Sequence, residues 1–226
     1  KKTCKNVCDT CNHYFGNYQN KIPSIETVIK ETFNLSRLRL IDKNQIGKNK
    51  ALPKFSSIYF NVNSAHTKLT LKAAYKFHPH FQETLALQLK KGLYKIYLEE
   101  TERQNLNGHQ NEYDFIREFC RLNVGNYPLF YFERMHGVLL ISKSWIETPE
   151  LFMYENRKSN YLVNEPGFFE FELFGHVFGI ATSRNWKITF DNYMEKSTEA
   201  KKTLFKSVRI ISKLNEIDLA LNIMND

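Results

Sequence analysis

Three of the four cysteines lie within the first eleven residues of the chain, and this clustering constrains the fold more than any other feature. Two residues separate Cys8 from Cys11, the spacing at which a tight turn presents two thiolates to one zinc ion, at about 2.3 Å from each sulfur. A structural zinc site has four ligands, so this pair supplies half of one. Cys4 or His13 could supply a third ligand, and a second cysteine pair could lie upstream.

The sequence shows no sign of export or of a membrane span. Its first residues lack the apolar core of a signal peptide, and no apolar run approaches the roughly 20 residues that a membrane-spanning helix requires. We therefore expect a cytoplasmic, reducing location, where clustered cysteines favour a metal over a disulfide. Cys120 stands alone in an apolar stretch, which indicates a core residue rather than a ligand.

Basic residues outnumber acidic ones, with 32 Lys and Arg against 24 Asp and Glu, and the net charge is +8. Such a surplus suits a polyanionic partner, because lysines and arginines that neutralise phosphates release counterions. A solvated, lysine-rich surface gives the same surplus, so both interpretations stay open. The same choice, a DNA-tracking face or a solvated one, applies to the basic residues predicted on the last helix: Lys196, Lys201, Lys202, Lys206 and Arg209.

Hydrophobic residues make up 42% of the chain, which is typical of a globular protein. A two-thiol turn is predicted at residues 8–11, with a helix beginning at Asn12. Ser24 can cap a second helix over residues 25–34. The polar stretch from Asp42 to Lys54 is interpreted as a linker, which divides the chain into residues 1–50 and a C-terminal domain over residues 51–226 of unknown recognition role.

Periodicity predicts an α+β arrangement for the second part, with an antiparallel sheet and flanking helices. The predicted helices cover residues 80–105, 112–122 and an amphipathic stretch after Ser197 with Leu204, Val208, Ile211 and Leu214 in one stripe. The predicted strands cover residues 55–62, 68–75, 128–133, 138–142, 168–174 and 176–182. Between Phe168 and Phe174, aromatic or aliphatic residues alternate with Glu170 and Glu172, a pattern typical of a half-buried strand.

The residues around the cysteine pair resemble the closing half of the HNH endonuclease motif. Asn6 lies two residues before Cys8, Asn12 follows Cys11 directly, and Gly16 comes shortly after. In that family a β-hairpin and a helix surround one catalytic metal, often supported by a zinc between two Cys-x-x-Cys pairs. The chain is thus expected to begin with the C-terminal half of a zinc-stabilised ββα-metal unit.

The resemblance implies a role for each matching residue. Asn6 would hold the hairpin loop in shape, and Cys8 and Cys11 would bind the structural zinc. Asn12 would help to hold the catalytic Mg²⁺ or Mn²⁺. Simpler roles stay open, because Asn12 could cap the following helix and Asn6 could be an ordinary turn residue.

Later segments extend the resemblance weakly towards residue 182. Gly92–Ile96 and Tyr113–Arg117 are similar, in the same order, to two segments of bacterial members of the family. Phe174–Ile180 is similar to the closing strand pair of those proteins. None of these segments carries a catalytic signature, and their plainest role is packing.

The opening half of the motif, an acidic-His-x-x-Pro segment, is not found before Asn6. His66, His78 and His80 come later and do not match it. We expect the missing segment, with the histidine that acts as general base, to lie upstream of Lys1. The alternative is a degenerate relic without activity. His78 and His80 are best explained as surface residues, and His13 as a solvated side chain.

If the resemblance holds, the chain is a metal-dependent endonuclease that hydrolyses phosphodiester bonds in DNA, with restriction or defence against phage as its suggested setting. An alternative is a non-catalytic nucleic-acid-binding module that keeps the zinc site. A third hypothesis is a zinc-stabilised protein-interaction domain, bound to a partner protein or to a second copy of the chain. The DNA hypotheses predict a salt-dependent affinity for DNA.

Overall fold

The computed structural model describes residues 8–18, 22–38, 54–105, 107–134, 150–152, 167–201 and 205–220. The described part of the chain is α+β, as predicted, and contains a small antiparallel sheet. Its helices are α1 (Asp9–Gly16), α2 (Ile25–Thr32), α3 (Ala73–Lys76), α4 (Phe81–Asn105), α5 (Asp114–Leu122) and α6 (Trp186–Lys201). Its strands are β1 (Phe60–Val62), β2 (Leu69–Leu71), β3 (Leu129–Arg134), β4 (Glu150–Phe152), β5 (Phe168–Leu173), β6 (His176–Ala181) and β7 (Phe205–Ile210).

The predicted cap of α2 is confirmed. The Ser24 hydroxyl accepts a hydrogen bond from the Thr27 amide at 3.1 Å, which satisfies one of the free donors at the helix start. Val28 on this helix is fully buried. The helix packs across α4 at Gly92, where a Cβ atom would lie 2.5 Å from Ile29 Cδ1. Glycine is therefore required there by the close approach of the two helices.

Two further helices occur where periodicity predicts them. The long helix α4 begins one residue after the predicted start and ends at the predicted Asn105. A 3₁₀ turn, Asn111–Tyr113, leads into α5, which ends at Leu122 as predicted. Cys120 is 2% exposed, which confirms it as a core residue. None of the helices in the described ranges combines the length and apolar character needed to span a membrane.

The five-stranded sheet has the order β4-β5-β6-β3-β7, and every pair of neighbours within it is antiparallel. The predicted strands over residues 128–133, 168–174 and 176–182 are confirmed within one or two residues. The predicted strand over residues 138–142 lies outside the described residues.

Both faces of this sheet are covered, so the predicted half-buried pattern of β5 is wrong. Phe168 packs against Tyr193 of α6, with ring centroids 3.9 Å apart, while Phe169 packs against Tyr97 of α4 on the other face. Glu170 is only 1% exposed rather than solvated. The alternation of apolar and acidic residues in β5 therefore does not distinguish an inner face from a solvent face.

The predicted helix after Ser197 is also wrong in extent. Helix α6 starts earlier, at Trp186, and the following segment forms strand β7 beside β3. Val208 pairs with Phe132 in this register, and Ile211 and Leu214 lie in the segment beyond the strand. Spacing that suits a helical stripe is overridden because the free edge of β3 offers backbone partners.

The early strands are shorter than predicted. β1 and β2 form a separate two-stranded sheet with Phe60 opposite Leu71, and residues 73–76 form α3 instead of extending β2. Two consecutive alanines, Ala73 and Ala74, favour a helix over a strand at that point.

The predicted linker lies outside the described residues up to Lys54, so a domain division there stays a prediction. Buried residues from both sides of it nevertheless share one core. Phe15 of α1 and Val28 of α2 belong to the same cluster as Leu93 of α4 and Phe178 of β6. This packing places α1, the helix that carries the cysteine pair, against the α4 and α5 helices.

Candidate functional site

The cysteine pair lies in the first turn of α1 rather than in a turn that precedes the helix, so the predicted start at Asn12 is corrected to Asp9. Cys8 is the N-cap residue, and its sulfur accepts a hydrogen bond from the Cys11 amide, with 3.4 Å between the sulfur and the nitrogen. The backbone N–H of Asn12 donates to the backbone carbonyl of Cys8 at 2.9 Å. Cys8 therefore performs the capping that serine or asparagine performs elsewhere.

The two thiols have different environments. Hydrogen bonding from the Cys11 backbone lowers the pKa of Cys8, whose side chain is exposed. Burial raises the pKa of Cys11, an effect that the Cys8 side chain adds to and that nearby Arg121 opposes. A thiolate is the form that binds a metal, so Cys8 is the thiol of the pair that is better prepared to do so.

Both thiols open onto a cavity of about 270 Å³ between α1, α4 and α5. Phe15 and Leu98 contribute apolar surface to its wall beside several charged side chains. Cys120 also lines it, and its thiol donates to the Lys91 carbonyl at 3.3 Å. Burial raises the pKa of Cys120 to about 12, so this thiol stays protonated at neutral pH. Cys120 is thus a wall residue whose chemistry differs from that of the exposed Cys8 and the partly buried Cys11.

Three cations line the same cavity, Lys95 from α4 and Arg117 and Arg121 from α5, and two carboxylates of α4, Glu99 and Glu102, line it as well. The Arg121 guanidinium lies over the Tyr14 ring of α1 at 4.0 Å from its centroid, and Lys95 lies over the Phe15 ring at 5.5 Å. Contacts of this kind hold a cation over an aromatic face and join the two helices to α1.

The three cations differ in how strongly neighbouring groups already hold them. Lys95 forms an ion pair with Glu99 one turn later. Arg117 pairs with Asp114 at 2.6 Å and also donates to the Gln110 carbonyl at 3.0 Å. Arg121 forms no ion pair with any residue in the described ranges. Besides the Tyr14 ring, its side chain interacts with the Cys11 thiol. It is therefore the cation of this cavity that no carboxylate in the described ranges neutralises.

The other predicted site residues are either exposed at the surface or outside the described residues. Asn12 and His13 are exposed on α1, which agrees with the solvated interpretation of His13. Asn6 and Cys4 lie outside the described residues. His78 and His80 are exposed, which confirms them as surface residues. The predicted single basic helix face does not form, because Lys196 lies on α6 while Arg209 lies on β7 and pairs with Glu133 at 2.8 Å.

A metal fits this site only in part. Cys8 and Cys11 present two sulfur ligands from one helical turn, which is the donor type that zinc prefers. No cluster of three or more His, Cys, Asp or Glu side chains able to hold a metal occurs in the described ranges. Asn12 is exposed beside the pair. The described residues thus fit half of a zinc site and do not by themselves fit a magnesium site.

Arg121 was not singled out by sequence reasoning, although one signal was present. Arg117 and Arg121 are four residues apart on a predicted helix, so both project from the same face. Their position beside the cysteine pair depends on tertiary packing.

No family model, characterised protein or solved structure matches the chain.

Proposed function

We propose that the chain is part of a metal-dependent endonuclease of the HNH type that hydrolyses phosphodiester bonds in DNA. One observation carries the proposal: two thiols in the first turn of α1 stand at a cavity lined by three cationic side chains and two carboxylates. Thiol pairs of this spacing bind zinc, and clustered cations bind phosphates. The residue motif around Cys8 and Cys11 then selects the nuclease among zinc-containing DNA-binding proteins.

In this proposal zinc has a structural role. Phe15 is the buried residue of α1, so the helix contributes little apolar surface to the core. A short element of this kind is stabilised when a metal links it to another segment. Cys8 and Cys11 would supply two thiolate ligands, and Cys4 or a second cysteine pair would supply others.

The cationic side chains would bind the DNA backbone. Arg121 is held at the cavity by Tyr14 while its guanidinium lacks a carboxylate partner in the described ranges. An arginine in this state can form two parallel hydrogen bonds to a phosphate. Lys95 and Arg117 would add charge, though each already has an acidic neighbour.

The catalytic cation would be Mg²⁺ or Mn²⁺, which would polarise the phosphate and neutralise charge in the transition state. Asn12 would donate one neutral oxygen ligand, a donor that hard cations accept. The general base would be the histidine that the HNH motif places ahead of Asn6. Among the described residues, Asn12 is the one candidate ligand for this cation.

Binding of nucleic acid without cleavage is the second candidate function. It is favoured by the exposed position of Asn12, which no acidic or imidazole cluster joins within the described ranges. The thiol pair and the cationic cavity would then suffice for a zinc-stabilised binding module.

Plasmid nicking by the full-length protein with Mg²⁺ or Mn²⁺ separates these functions. Asn12→Ala is compared with Asn17→Ala, since Asn17 is an exposed asparagine at the other end of α1 whose side chain donates to the His13 carbonyl at 2.9 Å. The nuclease proposal expects nicking to be lost in Asn12→Ala and kept in Asn17→Ala. Equal nicking by both variants would rule out the role of Asn12.

The binding module predicts a different pattern. Neither the parent protein nor the variants would nick the plasmid, but all three would bind DNA with an affinity that falls as salt rises. Protein that neither nicks nor binds DNA would exclude both candidate functions and would favour the protein-interaction hypothesis.

A further inference from the structure

A second cavity, of about 230 Å³, lies on the opposite half of α4 from the cysteine pair. Glu83, Ala86, Leu87 and Lys90 of α4 form one wall, while Trp186 at the start of α6 and the segment after β7 form the others. Lys90 and Lys95 are on different faces of α4. The α4 residues that line the cavity beside the cysteines centre near Glu99, and those that line the second cavity centre near Leu87. The two cavities are therefore separated by roughly 20 Å along the helix axis at 1.5 Å per residue.

Lys90 is the unusual residue of this cavity. It is 9% exposed, yet its side chain has no hydrogen bond or ion pair with any residue in the described ranges. Desolvation by burial lowers its pKa from the ordinary lysine value. The aliphatic stem of Lys90 accounts for this burial, because its ammonium is not among the fully buried polar atoms that lack a partner in the described ranges. The ammonium is partly desolvated and no carboxylate in the described ranges neutralises it, so it would attract an anion bound in the cavity more strongly than a fully exposed lysine would.

The nearest carboxylate in the wall does not serve as that anion. Glu83 is hydrogen bonded to His80 and lies 3.5 Å from the Lys213 ammonium. The His80 hydrogen bond is the main reason that the pKa of Glu83 is lowered. Glu83 therefore stays charged and engaged with two other groups, and Lys90 is the unmatched charge among the described residues that line the cavity.

The rest of the wall indicates what accompanies the anion. Trp186 provides aromatic surface, and Pro128 and Ile211 provide aliphatic surface. Asn126 and Ser212 add side chains that can form hydrogen bonds with the edge of a ring. Pockets for drug-sized ligands measure about 300–1,000 Å³. The cavity is smaller, so it suits one small molecule or one unit of a polymer.

We propose that this cavity binds a single nucleotide, with its phosphate beside Lys90 and its base against Trp186. One cation matches the single negative charge of a phosphodiester, and stacking on an aromatic side chain tolerates any base. The nucleotide could come from a single-stranded segment of nucleic acid or from a free nucleoside monophosphate. The first source rests on the proposed nuclease function, and the second does not.

Fluorescence of Trp186 tests the proposal in the full chain. Replacing the only other tryptophan, Trp145, by phenylalanine makes Trp186 the sole reporter. The probes are thymidine, thymidine monophosphate and a short single-stranded oligothymidylate, titrated without added divalent metal. Thymidine monophosphate or the oligonucleotide should quench the fluorescence more strongly than thymidine, and which of the two binds tighter identifies the source.

Lys90→Met keeps the apolar stem and removes the charge, and it should weaken binding by at least about tenfold, as expected for loss of a charge-assisted hydrogen bond. Lys187→Met is the matched control, because Lys187 is exposed and lies 5.7 Å from the Trp186 ring. It should change affinity by less than about threefold, as expected for an exposed charge. Thermal melts verify that both variants are folded.

Equal affinity of Lys90→Met and the parent for thymidine monophosphate would overturn the proposal, as would binding of thymidine alone with the same affinity. Absence of quenching by all three probes would overturn it as well. Failure of the nuclease proposal is distinguishable from failure of this one. Zinc content and plasmid nicking are measured in separate assays, and their loss does not alter mononucleotide binding at Lys90.

Discussion

Replacement of Gly92 by alanine tests the contact that holds α2 against α4. An ideal Cβ at this position would lie 2.5 Å from Ile29 Cδ1, 2.9 Å from Ile25 Cγ2 and 3.0 Å from Ile29 Cγ1. Real Cβ atoms do not approach carbon atoms so closely, so at least one helix must shift. Because α2 follows α1 and packs with it, the shift would also disturb the helix that carries the cysteine pair.

Two opposing effects determine how much Gly92→Ala changes the free energy of unfolding. Alanine is favoured over glycine in a helix interior by about 1 kcal/mol. Overpacking of a well-packed contact costs typically about 1–3 kcal/mol. Ile25 is 3% exposed and branched at Cβ, so it has little freedom to move away. The overpacking cost is therefore expected in the upper half of its range, about 2–3 kcal/mol, and subtraction of the helix gain leaves a fall in the free energy of unfolding of about 1–2 kcal/mol for Gly92→Ala.

Urea denaturation followed by circular dichroism measures this loss, and a melt should show a fall of about 2–8 °C for a chain of this size. Gly16→Ala is the matched control, since the nearest atom to its Cβ would be Glu26 Oε2 at 3.8 Å, an ordinary contact. It should cause no loss of stability.

A double mutant tests the cause. Ile29→Ala removes two of the three crowding atoms, so in that background Gly92→Ala should cost at least about 1 kcal/mol less than in the parent. An equal cost in both backgrounds would refute the argument from the α2–α4 contact. A stabilising effect of Gly92→Ala alone would show that helix propensity outweighs crowding.

Other predictions concern single groups. Tyr94→Phe should lower the free energy of unfolding by about 1–3 kcal/mol in urea denaturation, because the buried hydroxyl lies 3.0 and 3.2 Å from two backbone carbonyls. Ser24→Ala should lower it by about 0.5–2 kcal/mol in the same assay through loss of the α2 cap. Arg121→Gln should weaken DNA binding and reduce the slope of log affinity against log salt by about 1, and an unchanged slope would remove this residue from the interface. In metal-free protein iodoacetamide should modify Cys8 at neutral pH, since its pKa is lowered, while Cys120 stays unmodified because its pKa is raised to about 12; mass spectrometry of peptides reads both.

Local signals predict the elements whose stability is mostly local. Helical spacing of apolar residues from Phe81 to Asn105 suffices to locate α4, and Ser24 marks the start of α2. Cys120 is recognisable as a core residue because it lies on the apolar stripe of a strongly amphipathic helix. These features need no knowledge of the partner surfaces.

Elements that depend on distant partners are not predictable in this way. The residues of β7 are spaced as a helical stripe would be, but Val208 pairs with Phe132, more than seventy residues earlier. The alternation in β5 predicts a solvent-facing Glu170, yet α6 covers that face of the sheet. In both cases tertiary contacts outweigh local preference.

The candidate site divides along the same line. The Cys8–Cys11 spacing identifies the thiol pair directly, but Arg121 reaches it only because α5 packs beside α1. Sequence spacing does not predict that Arg121 lies beside the two thiols. The roles of Asn6 and Asn12 come from the family resemblance, and both stay predictions.

The central claim is that the thiols of Cys8 and Cys11 hold a zinc ion. Elemental analysis of full-length protein purified without chelators measures it directly, with Cys8→Ser and Cys120→Ala as paired variants. We expect bound zinc in the parent and in Cys120→Ala, and loss of zinc in Cys8→Ser. Absence of zinc from the parent, or retention of zinc by Cys8→Ser at the parent level, would contradict the claim.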